Sequence, residues 1–117
     1  MGSEMCIRDS GGINRSLKLA AHHKLPVVVS SALESVVGIS YGLKLASQLP
    51  ELNYACGLAT SALMKEDLGV IAIENGAMSV SPLEISREML EKLKVSPERL
   101  EWWRNRITEV WGLRGAM

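Results

Sequence analysis

At 117 residues the chain has room for one small domain, and its 13 basic and 13 acidic side chains cancel to a formal charge of zero, which leaves no basic footprint for nucleic acid. Hydrophobic content of 47% without a single Phe points to an aliphatic core of the kind that helices and parallel strands share, and excludes disorder beyond Gly11. No apolar run reaches the ~18 residues of a spanning helix, because Glu34, Lys44 and Lys65 interrupt, and no signal-peptide pattern opens the chain, so a cytoplasmic protein without membrane contact is expected.

Residues 1–10, MGSEMCIRDS, stand apart from the rest of the chain. Met5 to Ser10 read as a translation of ATG TGT ATA AGA GAC AGN, similar to the mosaic-end adapter of transposase-built sequencing libraries, so residues 1–10 are expected to be a non-native scar outside the fold. Natural sequence then begins near Gly11. Ile13 to Lys24 form a helix with Leu17, Ala20 and Ala21 on one face, Asn14 as its N-cap, and Leu25-Pro26 as its stop. Val27 to Val29 are β-branched without alternation, the pattern of a strand covered on both faces.

The stretch Pro26–Ser35, PVVVSSALES, is therefore a strand-to-helix joint, around which the rest can be placed. Its helix is expected over Leu33–Leu49, with Val36, Ile39, Leu43 and Ala46 as the core stripe and Pro50 as the end. Asn53 to Leu58 is a second short strand, which makes the order helix, strand, helix, strand: the alternation of a parallel α/β fold. Ala59 to Asp67 carries at most a helical turn. Val70, Ile71 and Ile73, then Asn75-Gly76, then Met78 and Val80 predict a β-hairpin with a tight turn. Ser81-Pro82-Leu83-Glu84 is a helix-start signal, with Leu83, Met89, Leu90 and Leu93 as the apolar side of the helix it opens. Ser96-Pro97 repeats the signal for a last helix carrying Leu100, Trp103, Ile107 and Val110 on one face. A soft boundary near Gly69 separates residues 11–68 from residues 69–117.

Ser30 and Ser31 sit where α/β folds bind ligands, at a strand's C-terminal end ahead of a helix, and would suit an anionic group. The competing reading is local, since Ser31-x-x-Glu34 is itself a capping box. His22 and His23 are adjacent and point about 100° apart on a helix, so they cannot share a metal as an i, i+4 pair can. Cys56 reads as a buried structural thiol, and with Cys6 gives neither a disulfide framework nor a metal motif; a reducing compartment is expected. Glu66-Asp67 reads as a solvated turn, and Trp102, Trp103 and Trp111 as packing residues. No paired carboxylates, triad or phosphate loop can be assembled from these positions.

The string KLPVVVSSALESVVGISYGLKLASQLPELNYACGLAT, Lys24–Thr60, resembles the o-succinylbenzoate synthase family of the enolase superfamily, as do the later DLGVIAIENGAMSV and PERLEWWRNR. The resemblance covers the whole chain beyond the scar. It implies an α/β C-terminal fragment of a modified TIM barrel: Val27 to Ser30 as the seventh strand, Tyr54 to Gly57 as the eighth, and residues 69–117 as a hairpin and helical tail returning to the capping domain. It also implies a metal-dependent dehydratase of menaquinone biosynthesis, converting 2-succinyl-6-hydroxy-2,4-cyclohexadiene-1-carboxylate to 2-succinylbenzoate. A lysine removes the proton alpha to a carboxylate, Mg²⁺ supports the charge that develops, and hydroxide leaves. The lysines and carboxylate ligands belong to strands that precede this chain, so no catalytic residue and no bound Mg²⁺ are expected here. Ser30, Ser31 and Gly57 would hold the succinyl carboxylate of the small-molecule substrate, and the partner would be the missing N-terminal part of the same protein. An N-acylamino acid racemase or muconate cycloisomerase fragment is the nearest enzyme alternative, and a stand-alone interaction module built on the Trp-bearing tail is the alternative of another class.

Overall fold

The structure, a computed structural model, describes residues 3–5 and 11–114. In chain order its elements are β1 (Ser3–Met5), α1 (Ile13–His23), β2 (Val27–Val29), α2 (Val36–Ser47), a 3₁₀ turn (Thr60–Leu63), β3 (Ile73–Glu74), β4 (Ala77–Met78), α3 (Arg87–Lys92) and α4 (Pro97–Arg114). It is a mixed α/β chain with a small parallel sheet and a separate antiparallel hairpin. Among the described residues no helix is long and apolar enough to cross a membrane.

The joint at Pro26–Ser35 is the centre of the fold. β2 is flanked on both edges. On one side β1 pairs with it in parallel, Ser3 opposite Val27 and Met5 opposite Val29. On the other, Ser30 and Gly57 form a parallel bridge. Residues 1–10, read from sequence as a non-native scar and left out of the fold on that ground, include Ser3–Met5, which supply the hydrogen-bonding neighbour that the edge of β2 requires. The second strand expected over Asn53–Leu58 contracts to the single bridge at Gly57, because only Gly57 N, donating to Val29 O (2.9 Å), and Gly57 O, accepting from Ser31 N (3.0 Å), reach β2 and its continuation.

α2 packs over this sheet. Val36, Ile39, Leu43 and Ala46 are all buried as their spacing predicts, and Leu45 joins them from another face, so the helix is apolar on more than one side. With Val27, Val29, Leu49 and Leu58 these residues form the core, and Ile13, Leu17 and Ala20 of α1 close one flank. Gly42 permits the close approach of α2 to Leu58: a Cβ at that position would lie 2.6 Å from Leu58 Cδ2.

Several helix ends differ from expectation. α1 is capped by Gly12 at φ 99°, and Asn14 lies inside the first turn; Ser16, fully buried, returns its hydroxyl to Gly12 O at 3.0 Å. α1 ends at His23 because Lys24 adopts φ 52° and donates its N–H to Ala20 O, a left-handed stop placed just before Pro26. α2 begins at Val36, three residues beyond Leu33, since Ser31 is still held by Gly57 and cannot enter a helix. The Ser81–Glu84 start signal is unused: α3 begins at Arg87, where Ser86 Oγ accepts from Met89 N, and Leu83 lies outside it. Leu68 O accepts from Ser86 N (2.9 Å), which fixes the approach to α3 in an extended course. At Asn75-Gly76 both residues have positive φ, 51° and 77°, the two-residue hairpin turn expected there, although the ladder is only two pairs long. Ser96 caps α4 through Arg99 N, with Pro97 at the first helical position.

Candidate functional site

β2 ends at Val29, and the chain continues through Ser30 and Ser31 as an extended strap beside Gly57. Burial of Val27 and Val29 on the core side fixes this strap, because a one-residue slip would turn Val28 inward in their place. The three residues singled out from sequence, Ser30, Ser31 and Gly57, are thus brought together. Ser31 makes two bonds to Gly57 O, one from its N–H (3.0 Å) and one from its hydroxyl (3.0 Å). A Cβ added at Gly57 would meet Ser30 Cβ at 3.6 Å, an ordinary contact, so glycine keeps this spot open without being sterically demanded by its neighbours.

Two further residues complete the arrangement. Thr60, at the start of the 3₁₀ turn, places Oγ1 2.9 Å from Ser31 Oγ and donates to Ala32 O at 2.7 Å. Asp67 reaches the start of α2: Oδ2 accepts from Val36 N (2.8 Å) while Oδ1 accepts from Leu68 N (2.7 Å). The strap from Ser30 to Val36 is therefore fastened along its length to residues 57–67.

This changes where an anion could sit. Sequence reasoning places Ser30 and Ser31 directly before the helix, with its free N–H groups as the anion site and Ser31-x-x-Glu34 as a capping box. In the structure Ser31 lies outside the first turn, and the helix start is capped by the carboxylate of Asp67. Glu34 lies over Gly38, where an added methyl group would collide with it. The carboxylate of Asp67 already meets the positive end of α2, and Gly57 spends its N–H on Val29 O and its carbonyl on Ser31, which leaves the hydroxyls at Ser30 and Ser31 as the polar rim open to a ligand beside the exposed Gly57. The sequence alone puts Asp67 in a solvated turn and does not single out Thr60. Gly57-x-x-Thr60 is the signal that could have found the latter, because one turn after a strand end brings a hydroxyl back over it.

The remaining candidates separate from this rim. His22 and His23 are exposed in the last turn of α1, with ring centroids 5.0 Å apart and nearly perpendicular. Cys56 is half-buried against the core rather than enclosed in it. Glu66 pairs with Lys92. Mg²⁺ takes about six oxygen ligands, and among the described residues no three His, Cys, Asp or Glu side chains are gathered to hold a metal, so these residues do not fit that ion. An open cavity of about 520 Å³ lies at the opposite end of β2, lined by Leu17, Ala20, Lys24, Leu25, Leu49 and Pro50 among others. It shares no residue with the rim.

The chain is 42% identical over 104 residues to an o-succinylbenzoate synthase of Mycobacterium tuberculosis (strain ATCC 25618 / H37Rv), a match covering 88% of this chain and 32% of that protein. It is 43% identical over 104 residues to the protein of that name from Mycobacterium leprae (strain TN), covering 88% and 31%, and 43% over 98 residues to that of Mycobacterium ulcerans (strain Agy99), covering 83% and 30%. The chain spans about a third of the length of these curated relatives. No family model matches it. The shared name of the relatives favours neither the racemase or cycloisomerase alternative nor the stand-alone module.

Proposed function

We propose that this chain is the part of an o-succinylbenzoate synthase that carries one wall of the substrate site, and that its own work is to hold the succinyl carboxylate. The observation that carries this reading is the fastened rim at the C-terminal end of β2, where Ser30, Ser31 and Gly57 converge and Ser31 Oγ is a donor near an open edge. Carboxylates are held best by several directed donors, each charge-assisted bond being stronger than its neutral counterpart. Residues 11–68 are then the last βα units of an enolase-superfamily barrel, and residues 69–117 its return to a capping domain. Residues 1–10 are a non-native addition. The proton abstraction and loss of hydroxide belong to residues outside this chain, in a cytoplasmic enzyme whose substrate carries two carboxylates.

Grafting residues 11–114 in place of the matching third of the M. tuberculosis relative tests the reading. The graft is expected to dehydrate 2-succinyl-6-hydroxy-2,4-cyclohexadiene-1-carboxylate. Ser31→Ala in the graft should raise KM roughly tenfold or more, as for one lost hydrogen bond to a charged group, with a smaller change in kcat. A graft that folds without turnover, or a Ser31→Ala variant with unchanged KM, overturns it.

A further inference from the structure

The contacts around Ser31 do not balance in hydrogens. Ser31 Oγ and Thr60 Oγ1 own one hydrogen each, yet three contacts need one: Ser31 to Gly57 O, Ser31 to Thr60, and Thr60 to Ala32 O. With Thr60 donating to Ala32 O, Ser31 divides its hydrogen between Gly57 O and Thr60 Oγ1. Gly57 O does not depend on that hydrogen, because it also accepts from Ser31 N at 3.0 Å. Ala32 is exposed, so water can replace Thr60 at its carbonyl at small cost.

We propose that Thr60 is a positioning residue that re-donates to Ser31 when Ser31 turns its own hydrogen to a bound carboxylate. The hydroxyl of Ser31 then points outward, the hydroxyl of Thr60 swings from Ala32 O to Ser31 Oγ, and the chain Thr60 to Ser31 to carboxylate is polarised in one direction, strengthening the last bond. No acceptor in the interior is left bare by the exchange, and no proton leaves its oxygen. The inference rests on the reading of Ser31 as a carboxylate ligand and adds the residue that acts through it.

Sodium succinate, titrated into the 117-residue chain and followed at the Ser31 and Gly57 amides by NMR, is the test. The unaltered chain and Thr60→Ser should titrate alike, whereas Thr60→Val should need about fivefold more succinate, the equivalent of one hydrogen bond. The Ile39 and Leu45 amides report whether each variant keeps its core. If Thr60→Val loses that core, Thr60→Ser still decides, since a titration weakened despite the retained hydroxyl overturns the proposal. So does equal titration of Thr60→Val and the unaltered chain, or no response at Ser31 and Gly57 in the unaltered chain. In the graft with the M. tuberculosis relative, Thr60→Val should raise KM with kcat nearly unchanged and Thr60→Ser should restore it. An inactive graft would overturn the enzymatic assignment alone, because the succinate titration reads the rim without turnover.

Discussion

Asp67 shows how much one side chain can settle. Its two oxygens serve two backbone donors, Val36 N and Leu68 N, so it caps α2 from 31 residues away and pins its own loop in the same act. In the graft with the M. tuberculosis relative, Asp67→Ala should cost about 1–2 kcal/mol, the range for a lost helix cap, read as a lower urea midpoint and faster amide exchange at Val36. Asp67→Asn should fall between, because its amide offers one accepting oxygen where the carboxylate offers two. Equal stability of all three proteins would remove Asp67 from this role. Nothing in the local sequence announces the contact. Glu66-Asp67 is a polar pair in a loop, and a cap supplied across 31 residues leaves no mark in the three- and four-residue spacing by which helices are read. Gly42 is the converse case, a glycine within a strong helical pattern whose reason lies in a neighbour. A methyl group there gains about 1 kcal/mol in helix propensity but must displace Leu58, itself buried, at a cost of about 1–3 kcal/mol. Gly42→Ala should therefore destabilise the graft with the M. tuberculosis relative, and Leu58→Val in the same molecule should recover part of the loss; additive effects of the two substitutions would rule out their contact as the cause.

At the scale of elements, those whose signal is local emerge where expected. α1, β2 and the stripe of α2 follow from apolar spacing, the hairpin from Asn75-Gly76, and the start of α4 from Ser96-Pro97. Elements whose limits depend on distant partners do not. Asn53–Leu58 has strand composition, but with one bridge to β2 it cannot sustain a ladder; Ser81–Glu84 has a helix start, but Ser86, tied to Leu68, takes that place. The sharpest departure is β1. Whatever the origin of residues 1–10, Ser3–Met5 cover the edge of β2, whose Val27-Val28-Val29 sequence is the kind of short β-branched segment that recruits other strands. Removing residues 1–10 should raise self-association, seen by light scattering as a concentration-dependent rise in mass over the full chain. A truncated chain with the same mass as the full one at every concentration would show that β1 does not shield this edge.

For the molecule as a whole, the buried apolar set is small beside what is exposed. Among the described residues nine hydrophobic side chains form the core, while Leu100, Trp103, Ile107 and Val110 line one face of α4 at 43%, 47%, 63% and 42% exposure. Trp103 is expected from its spacing to pack; among the described residues the stripe has the spacing of a packing face and no core beneath it, and Arg99 stacks on Trp102 at 4.4 Å from the ring centroid. The radius of gyration, 16.3 Å, exceeds the roughly 13 Å of a compact domain of this length. Both facts agree with the proposal that this chain, which spans about a third of the length of its relatives, is part of a longer protein whose other residues would cover these faces. Exposed patches on this scale bind hydrophobic dyes and unfold without a sharp cooperative transition. The 117-residue chain should therefore bind ANS and melt over a broad range, and the tryptophan emission should be that of solvent-exposed rings. In the graft with the M. tuberculosis relative the dye should be excluded, the emission should shift to the blue, and melting should sharpen, because α4 then has a surface to lie against. A sharp transition without dye binding in the 117-residue chain alone would mean that the apolar face of α4 finds its partner within the chain or in a second copy, and sedimentation at two concentrations would tell which.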